Sequence, residues 1–187
     1  VRLSVEGLKQ HFVDKVWVTQ DVYWKWTKLF GSVNIESVMD MALDGAGNVY
    51  TVCQNEKDAG NDRYIYFVTI CKHDANGNLL WKRVKGSTAT LGSGITTDPA
   101  GNVYVCGATT ENLDAQLNTN HNEPGNITDL FVAKYDAKGN WQWTRLRGGA
   151  NRDSAIKVAC DDVGNVYVGG ETMSTFDGQA AQGGWDM

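Results

Sequence analysis

Short runs of β-branched and aromatic residues, partly alternating with polar ones, recur along the chain between glycine-containing turns. Gly94-Ile-Thr-Thr97, Val103-Tyr-Val-Cys-Gly107, Asp129-Leu-Phe-Val-Ala-Lys-Tyr135 and Trp141-Gln-Trp-Thr-Arg-Leu146 are the clearest set. A period near two with turn residues at the boundaries predicts strands rather than helices. Between the strands stands the unit Asp-x-x-Gly-Asn, five times, beginning at Asp44, Asp74, Asp98, Asp136 and Asp161. In such a unit the aspartate accepts from amides of its own turn and the glycine takes a positive φ. A strand resumes after the asparagine, so each unit predicts a hairpin. The five aspartates are therefore assigned as turn formers. A calcium loop would need several oxygen ligands at alternating positions, whereas each turn offers one Asp and one Asn; no metal or cofactor is expected.

The hairpins belong to a longer repeat. Trp26-Thr-Lys-Leu-Phe-Gly31, Trp81-Lys-Arg-Val-Lys-Gly86 and Trp143-Thr-Arg-Leu-Arg-Gly148 share one pattern, and Asp44-Gly-Ala-Gly-Asn-Val-Tyr50 returns at Asp98 and Asp161 in step with it. Four predicted strands per period make one antiparallel meander, and recurring four-stranded sheets predict an all-β fold, a β-propeller built from meander blades. The succession Asp-x-x-Gly-Asn-Val-Tyr-Val-x-Gly, then Asp-Leu-Phe-Val-Ala-Lys, then Trp and Gly-Gly resembles the bacterial β-propeller repeat called SBBP, with Asp129–Gly149 and Ser154–Glu171 the best matches. That resemblance implies a propeller module of a bacterial surface or secreted protein, extracellular or on the cell surface, with no catalytic residues to carry over.

The predicted organisation is a single partial propeller over residues 1–187. Complete blades are expected at 38–86 and 93–149, with half-blades at 14–30 and 154–187. Asp14–Thr19 and Val22–Trp26 read as third and fourth strands, and Asp186 aligns with Asp129. Two explanations stay open: an excerpt of a longer propeller, or two copies that pair complementary half-blades into a ring, a homo-oligomer.

Composition narrows the function classes. The 187 residues are 42% hydrophobic and 21% charged, with 17 Lys+Arg against 22 Asp+Glu and a formal net charge of -5. The chain is globular, and neither nucleic acid nor an anionic membrane is attracted. No apolar run is long enough for a spanning helix, so membrane insertion is not expected. Cys53, Cys71, Cys106 and Cys160 replace small or apolar strand residues in the repeat and read as buried free thiols. His11, His73 and His121 have no metal-ligand spacing. Neither a nucleophile elbow nor a phosphate loop is present, so an enzyme is not expected. Trp81 and Trp143 predict packing between blades, and Trp141, alternating with Trp143, is expected on the same sheet face.

Function is expected at the end of the blades opposite the Asp turns, where Gln54–Arg63, Thr110–Thr128, Thr172–Gly184 and the link Ser87–Ser93 differ between repeats. The longest of these carries the candidate binding residues Asp114, Asn118, Asn120, His121, Asn122 and Glu123, whose amides, imidazole and carboxylates suit a polar ligand or partner. The expected role is a non-catalytic scaffold or recognition module that binds protein or glycan. Alternatives are a lectin-like propeller and a structural self-assembly module.

Overall fold

Each Asp-x-x-Gly-Asn unit closes a tight hairpin, and these hairpins set the topology. In the computed structural model the described residues are 11–13, 16–18, 35–118, 127–176, 178–181, 184 and 186–187, with backbone alone at 11–13 and 16–18. The chain divides into two compact units, Val1–Phe30 and Gly31–Met187. In the first, β1 (His11–Val13) pairs antiparallel with β2 (Val16–Val18). The strand predicted at 14–19 thus contains β2, paired with the residues before it; Val22–Trp26 lie outside the described residues.

Among its described residues the second unit holds three sheets. Strands β3 (Ile35–Leu43), β4 (Val49–Gly60), β5 (Arg63–His73) and β6 (Leu79–Lys85) form a four-stranded sheet in chain order. Strands β7 (Thr90–Thr97), β8 (Val103–Thr109), β9 (Asp129–Tyr135) and β10 (Trp141–Arg147) form another, and β11 (Asp153–Cys160) pairs with β12 (Val166–Thr172). Strand pairing within each of these sheets is antiparallel, which makes the fold all-β with meander blades. An isolated bridge between Thr172 and Asp186 continues the third sheet, with Asp186 N donating to Thr172 O at 2.9 Å and Thr172 N to Asp186 O at 2.8 Å. In the second blade Thr109 pairs with Asp129 in the same way, so Asp186 occupies the position of Asp129.

Sheets stack through their faces. Tyr50, Val52, Val68 and Ile70 of the first blade meet Ile95, Val103, Val105, Phe131, Ala133 and Tyr135 of the second in one buried cluster. On the second blade's other face Tyr104, Cys106 and Val132 pack with Ala155 and Val158. The first strand of each of these three sheets carries a β-bulge at one equivalent place: Val38/Asp40, Gly92/Gly94 and Ala155/Lys157. At Gly94 a Cβ would lie 3.1 Å from Ile156 O and 3.2 Å from Lys157 Cα. Glycine there lets three first strands converge, and Asp40 accepts from Ile95 N at 3.2 Å while pairing with Lys157 at 3.1 Å.

Three sequence expectations are corrected. Gln54–Arg63 is not a free loop: β4 and β5 stay paired out to Gly60 and Arg63, turning at Asn61 and Asp62 with φ of 55° and 57°. The β-prone run Tyr64-Ile-Tyr-Phe67 extends the ladder, and Tyr66 N donates to Thr88 O at 2.9 Å, pinning the link to the next blade. That link is also shorter than predicted, since Thr90–Ser93 belong to β7. Trp141 and Trp143 face opposite ways because the register shifts between them. Trp143 packs toward the third sheet, whereas Trp141 lies beside Lys85 of the first blade.

All four cysteines are free, with Cys53, Cys71 and Cys106 buried and Cys160 half-buried. Burial pushes the Cys106 thiol up to about 12 and those of Cys71 and Cys160 to about 11, which disfavours the reactive thiolate.

Candidate functional site

The two ends of the blade stack are built from different chemistry. At the turn end each aspartate saturates its own hairpin. Asp44 Oδ1 accepts from Ala46 N and Asn48 N at 3.0 and 2.9 Å, and Oδ2 from Asn48 Nδ2 and the Tyr50 hydroxyl at 2.7 and 2.9 Å. Asp98 and Asp161 bind Asn102, Tyr104 and Asn165, Tyr167 alike, while Asp74 and Asp136 accept from the side-chain amides of Asn78 and Asn140. Hydrogen bonds from Asn140 and Asn165 hold the Asp136 and Asp161 carboxyls below the ordinary carboxylate range. These oxygens are occupied within the turn, so they serve architecture.

A ladder of cations and aromatics joins that end of one blade to the next. Lys72 lies 4.8 Å from the Tyr50 ring centroid, Tyr50 meets Trp81 edge-on at 6.0 Å, and Arg83 stacks on Trp81 at 5.6 Å. The ladder donates to three successive carbonyls of the second blade's outer turn. Lys72 Nζ and Trp81 Nε1 reach Ala137 O at 3.4 and 3.2 Å, Arg83 Nη2 reaches Lys138 O at 3.2 Å, and Arg83 Nε reaches Gly139 O at 2.6 Å. Gly139 has φ of 78° and a Cβ there would stand 2.8 Å from the Trp81 ring. Only glycine therefore fits both the turn and the indole.

The second blade carries the same ladder. Lys134 lies 5.1 Å from the Tyr104 ring, Tyr104 stands 6.1 Å from Trp143, and Arg145 stacks on Trp143 at 5.6 Å. Arg145 Nη1 donates to Thr144 O at 3.0 Å as Arg83 Nη1 does to Lys82 O at 2.8 Å.

At the loop end carboxylates tie the variable segments down. Glu111 accepts from Ser87 N, Ser87 Oγ and Thr90 Oγ1 at 2.7, 2.8 and 2.6 Å, and from Thr88 N at 3.2 Å. One side chain thus organises the whole link between the first two blades. In the third sheet the acid sits across the register: Asp153 accepts from Ser174 Oγ at 3.0 Å and Gly149 N at 2.8 Å. Asp153 occupies the place of Thr90, and Ser174 that of Glu111.

The predicted site residues divide. Asp114 is an anchor, with φ of 47°; it pairs with Lys85 and accepts from the Thr144 hydroxyl. The Lys85 side chain is only 5% exposed, between the rings of Tyr135 and Trp141. Asn118 is buried and secures the loop base through Nδ2 to Thr109 O and through its amide to Asn112 Oδ1, both at 2.8 Å. The structure therefore places Asp114 and Asn118 in the base of the loop; Asn120, His121, Asn122 and Glu123 lie outside the described residues. Glu111, Lys72 and Arg83 are not among the candidates read from sequence; for Arg83 alone a signal is present, as the base two residues after each repeated Trp.

Burial opposes ionisation of Glu111, but hydrogen bonds from Thr90, Ser87 and Thr88 outweigh it and hold the carboxyl at about 2. A folded value below the unfolded one stabilises the fold fully above the unfolded value of 4.5 and is lost as pH falls toward 2. Glu111→Gln is expected to lower stability at neutral pH by about 1–2 kcal/mol. The gap between variant and parent should close between pH 5 and 2, which urea titrations at several pH values would show.

Between the second blade and β12 runs a groove of about 730 Å³, lined by Leu130, Val132, Arg145, Arg147, Val168 and Phe176 among others. Its second-blade wall is equivalent to Val68, Ile70, Arg83 and Lys85, which on the first blade face the second.

Residues 86–114 and 142–177 match the family model of the β-propeller repeat SBBP. The chain is also similar to the regulatory protein FlaEY of Caulobacter vibrioides, 37% identical over 163 residues, covering 83% of this chain and 16% of that protein. Similarity to the uncharacterized WD repeat-containing protein L264 of Acanthamoeba polyphaga mimivirus is 23% over 197 residues, covering 84% of this chain and 14% of that one. The chain therefore spans a small part of each relative's length.

Proposed function

We propose that this chain, which carries β-propeller repeats of the SBBP family, acts as a non-catalytic recognition scaffold of a bacterial surface or secreted protein, binding a protein or glycan through the loop end of its blades. The observation that carries this reading is the contrast between the two ends. Turn-end geometry repeats from blade to blade, whereas the loop end changes from a tight two-residue tip at Asn61-Asp62 to the long segment after Thr109. Glu111, Asp114 and Asn118 hold the base of that segment. A loop presented from a fixed base loses less entropy on binding. Binding through such loops also accords with the regulatory role in the name of the Caulobacter relative.

The test uses the labelled protein on a glycan array and on a phage-displayed random-peptide panel, beside a variant whose residues 119–126 are replaced by Gly and Ser at equal length. Reproducible hits that disappear in the variant, with an unchanged melting temperature, are expected. Hits that persist, or none on either panel, would overturn the reading. Proteolytic shaving of intact source cells tests the surface placement: release of fragments from this chain is expected, and full protection until lysis would refute it.

A further inference from the structure

The first blade carries a piece that closing a blade does not need. In the second blade the β8–β9 ladder ends at Thr109–Asp129. The equivalent pair in the first is Asn55–Phe67, beyond which β4 and β5 continue through Glu56–Tyr66, Lys57–Ile65, Asp58–Tyr64 and Gly60–Arg63. This ribbon is held at its tip, where Asp58 Oδ1 accepts from Gly60 N at 2.6 Å, and at its root, where Tyr66 N donates to Thr88 O at 2.9 Å. Strand alternation fixes which way each side chain points. Tyr50, Val52 and Gln54 face the second blade, Gln54 through Thr90 O and Gly92 N. Glu56 and Asp58 follow in the same phase, as Tyr66 and Tyr64 follow Ile70 and Val68 along β5.

That face combines negative charge with exposed aromatic surface. The Tyr66 amide points to Thr88 and away from β4, so Glu56–Tyr66, and Asp58–Tyr64 two residues on, are closely spaced pairs of the ladder. Each tyrosine thus has a carboxylate beside it. Tyr66 is half-buried, and desolvation, the Glu56 charge and a hydrogen bond to that carboxylate push its phenol up. Tyr64 is 51% exposed. Ala89 bridges Tyr66 and donates through its amide to Glu111 at 3.5 Å, which brings a third ionised carboxylate to the root of the ribbon. Lys57 and Arg63 alternate with Asp58 and Tyr64 and stand on the other face.

We propose that this face binds an extended, arginine-containing segment of a partner protein. An extended chain repeats its side-chain direction every two residues, about 6.5–7 Å, which is also the separation of Tyr64 and Tyr66 along β5. Arginines two apart therefore lie one over each ring, each guanidinium stacked on a phenol and paired with the neighbouring carboxylate. The chain's own segment 119–126 contains no lysine or arginine, so charge favours a partner as the occupant. The inference rests on the reading that the loop end binds, and names the class of ligand that the first blade brings to it.

A fluorescein-labelled Gly-Arg-Thr-Arg-Thr-Gly peptide and its counterpart with glutamine for arginine are titrated into the whole protein and followed by anisotropy. Saturable binding of the arginine peptide alone is expected, reduced about fivefold or more by Tyr64→Ala and kept by Tyr64→Phe. Glu56→Gln should also weaken it and flatten its dependence on salt. Tyr64 lies beyond the blade itself, so Tyr64→Ala should melt with the parent. Loss on Tyr64→Ala, with binding retained when residues 119–126 are replaced, would uphold this site and remove the long segment from it. Binding abolished by that replacement but indifferent to Tyr64→Ala and Glu56→Gln would overturn this proposal and leave the loop-end reading standing. No saturable binding, equal binding of the glutamine peptide, or glycan-array hits lost on Tyr64→Ala in place of peptide binding would equally overturn it.

Discussion

Asp114→Asn is expected to lower folding stability by about 1.5–3 kcal/mol, the scale for a hydrogen bond to a charged group, because Lys85 is buried while the Asp114 side chain is 30% exposed. Lys85 is nearly inaccessible, and its remaining contacts would be one hydroxyl and two aromatic faces. Burial already pulls its ammonium below the usual lysine range although Asp114 pushes the other way. The sign of the pH effect follows. A lysine whose folded pKa lies below its unfolded 10.5 makes the fold more stable as pH rises through the interval between them. Losing Asp114 widens that interval, so the deficit should be largest near neutrality and shrink toward pH 10. Lys85→Met with Asp114→Leu should recover most of the loss, because neither partner then strands a charge. Urea unfolding at pH 7 and pH 9.5 checks both; a loss under 1 kcal/mol at pH 7 would mean that water reaches Lys85.

The second large effect is steric. A Cβ at Gly107 would stand 1.9 Å from Leu91 O and 2.9 Å from the Phe131 ring, and Gly107 is paired on both sides, with Gly92 and with Phe131. Backbone blocks it, so Gly107→Ala must open the bulge or displace a core ring, at a cost of about 2–3 kcal/mol. Gly170 is its counterpart in the third sheet, with a Cβ 2.1 Å from Ser154 O. Among the described residues β12 pairs along this stretch with β11, so Gly170→Ala in this chain is expected to cost less. Equal losses in thermal melts would show that both strands are equally confined.

Much of this was legible beforehand, and the physical reason is local. An Asp-x-x-Gly-Asn turn is specified by its own five residues, so its hairpins and the strands after them could be read directly. Asp129–Tyr135 has the predicted bounds for the same reason, being framed by a buried Asp and a turn. Trp141 was misplaced because a bulge adds one residue and reverses every later side chain, and nothing in Trp-Gln-Trp announces it. The reach of β4 and β5 to Gly60 was hidden by polar Glu56, Lys57 and Asp58, which suit an exposed ribbon as well as a loop. Loop polarity alone does not show that Asp114 and Asn118 are bonded inward. Their partners, Lys85 and Thr109, come from other strands and are known only once the blade has closed.

The exchange of acid and hydroxyl between Thr90–Glu111 and Asp153–Ser174 bears on how such repeats can be inherited. A chimera taking its first strand from the third sheet and its second from the second blade would set Asp against Glu. The reverse would set two hydroxyls together, with no carboxylate to gather the link. Strands one and two, with the link before them, must therefore be copied or recombined as a block. The two stretches that match the repeat family, 86–114 and 142–177, each contain both members of their pair.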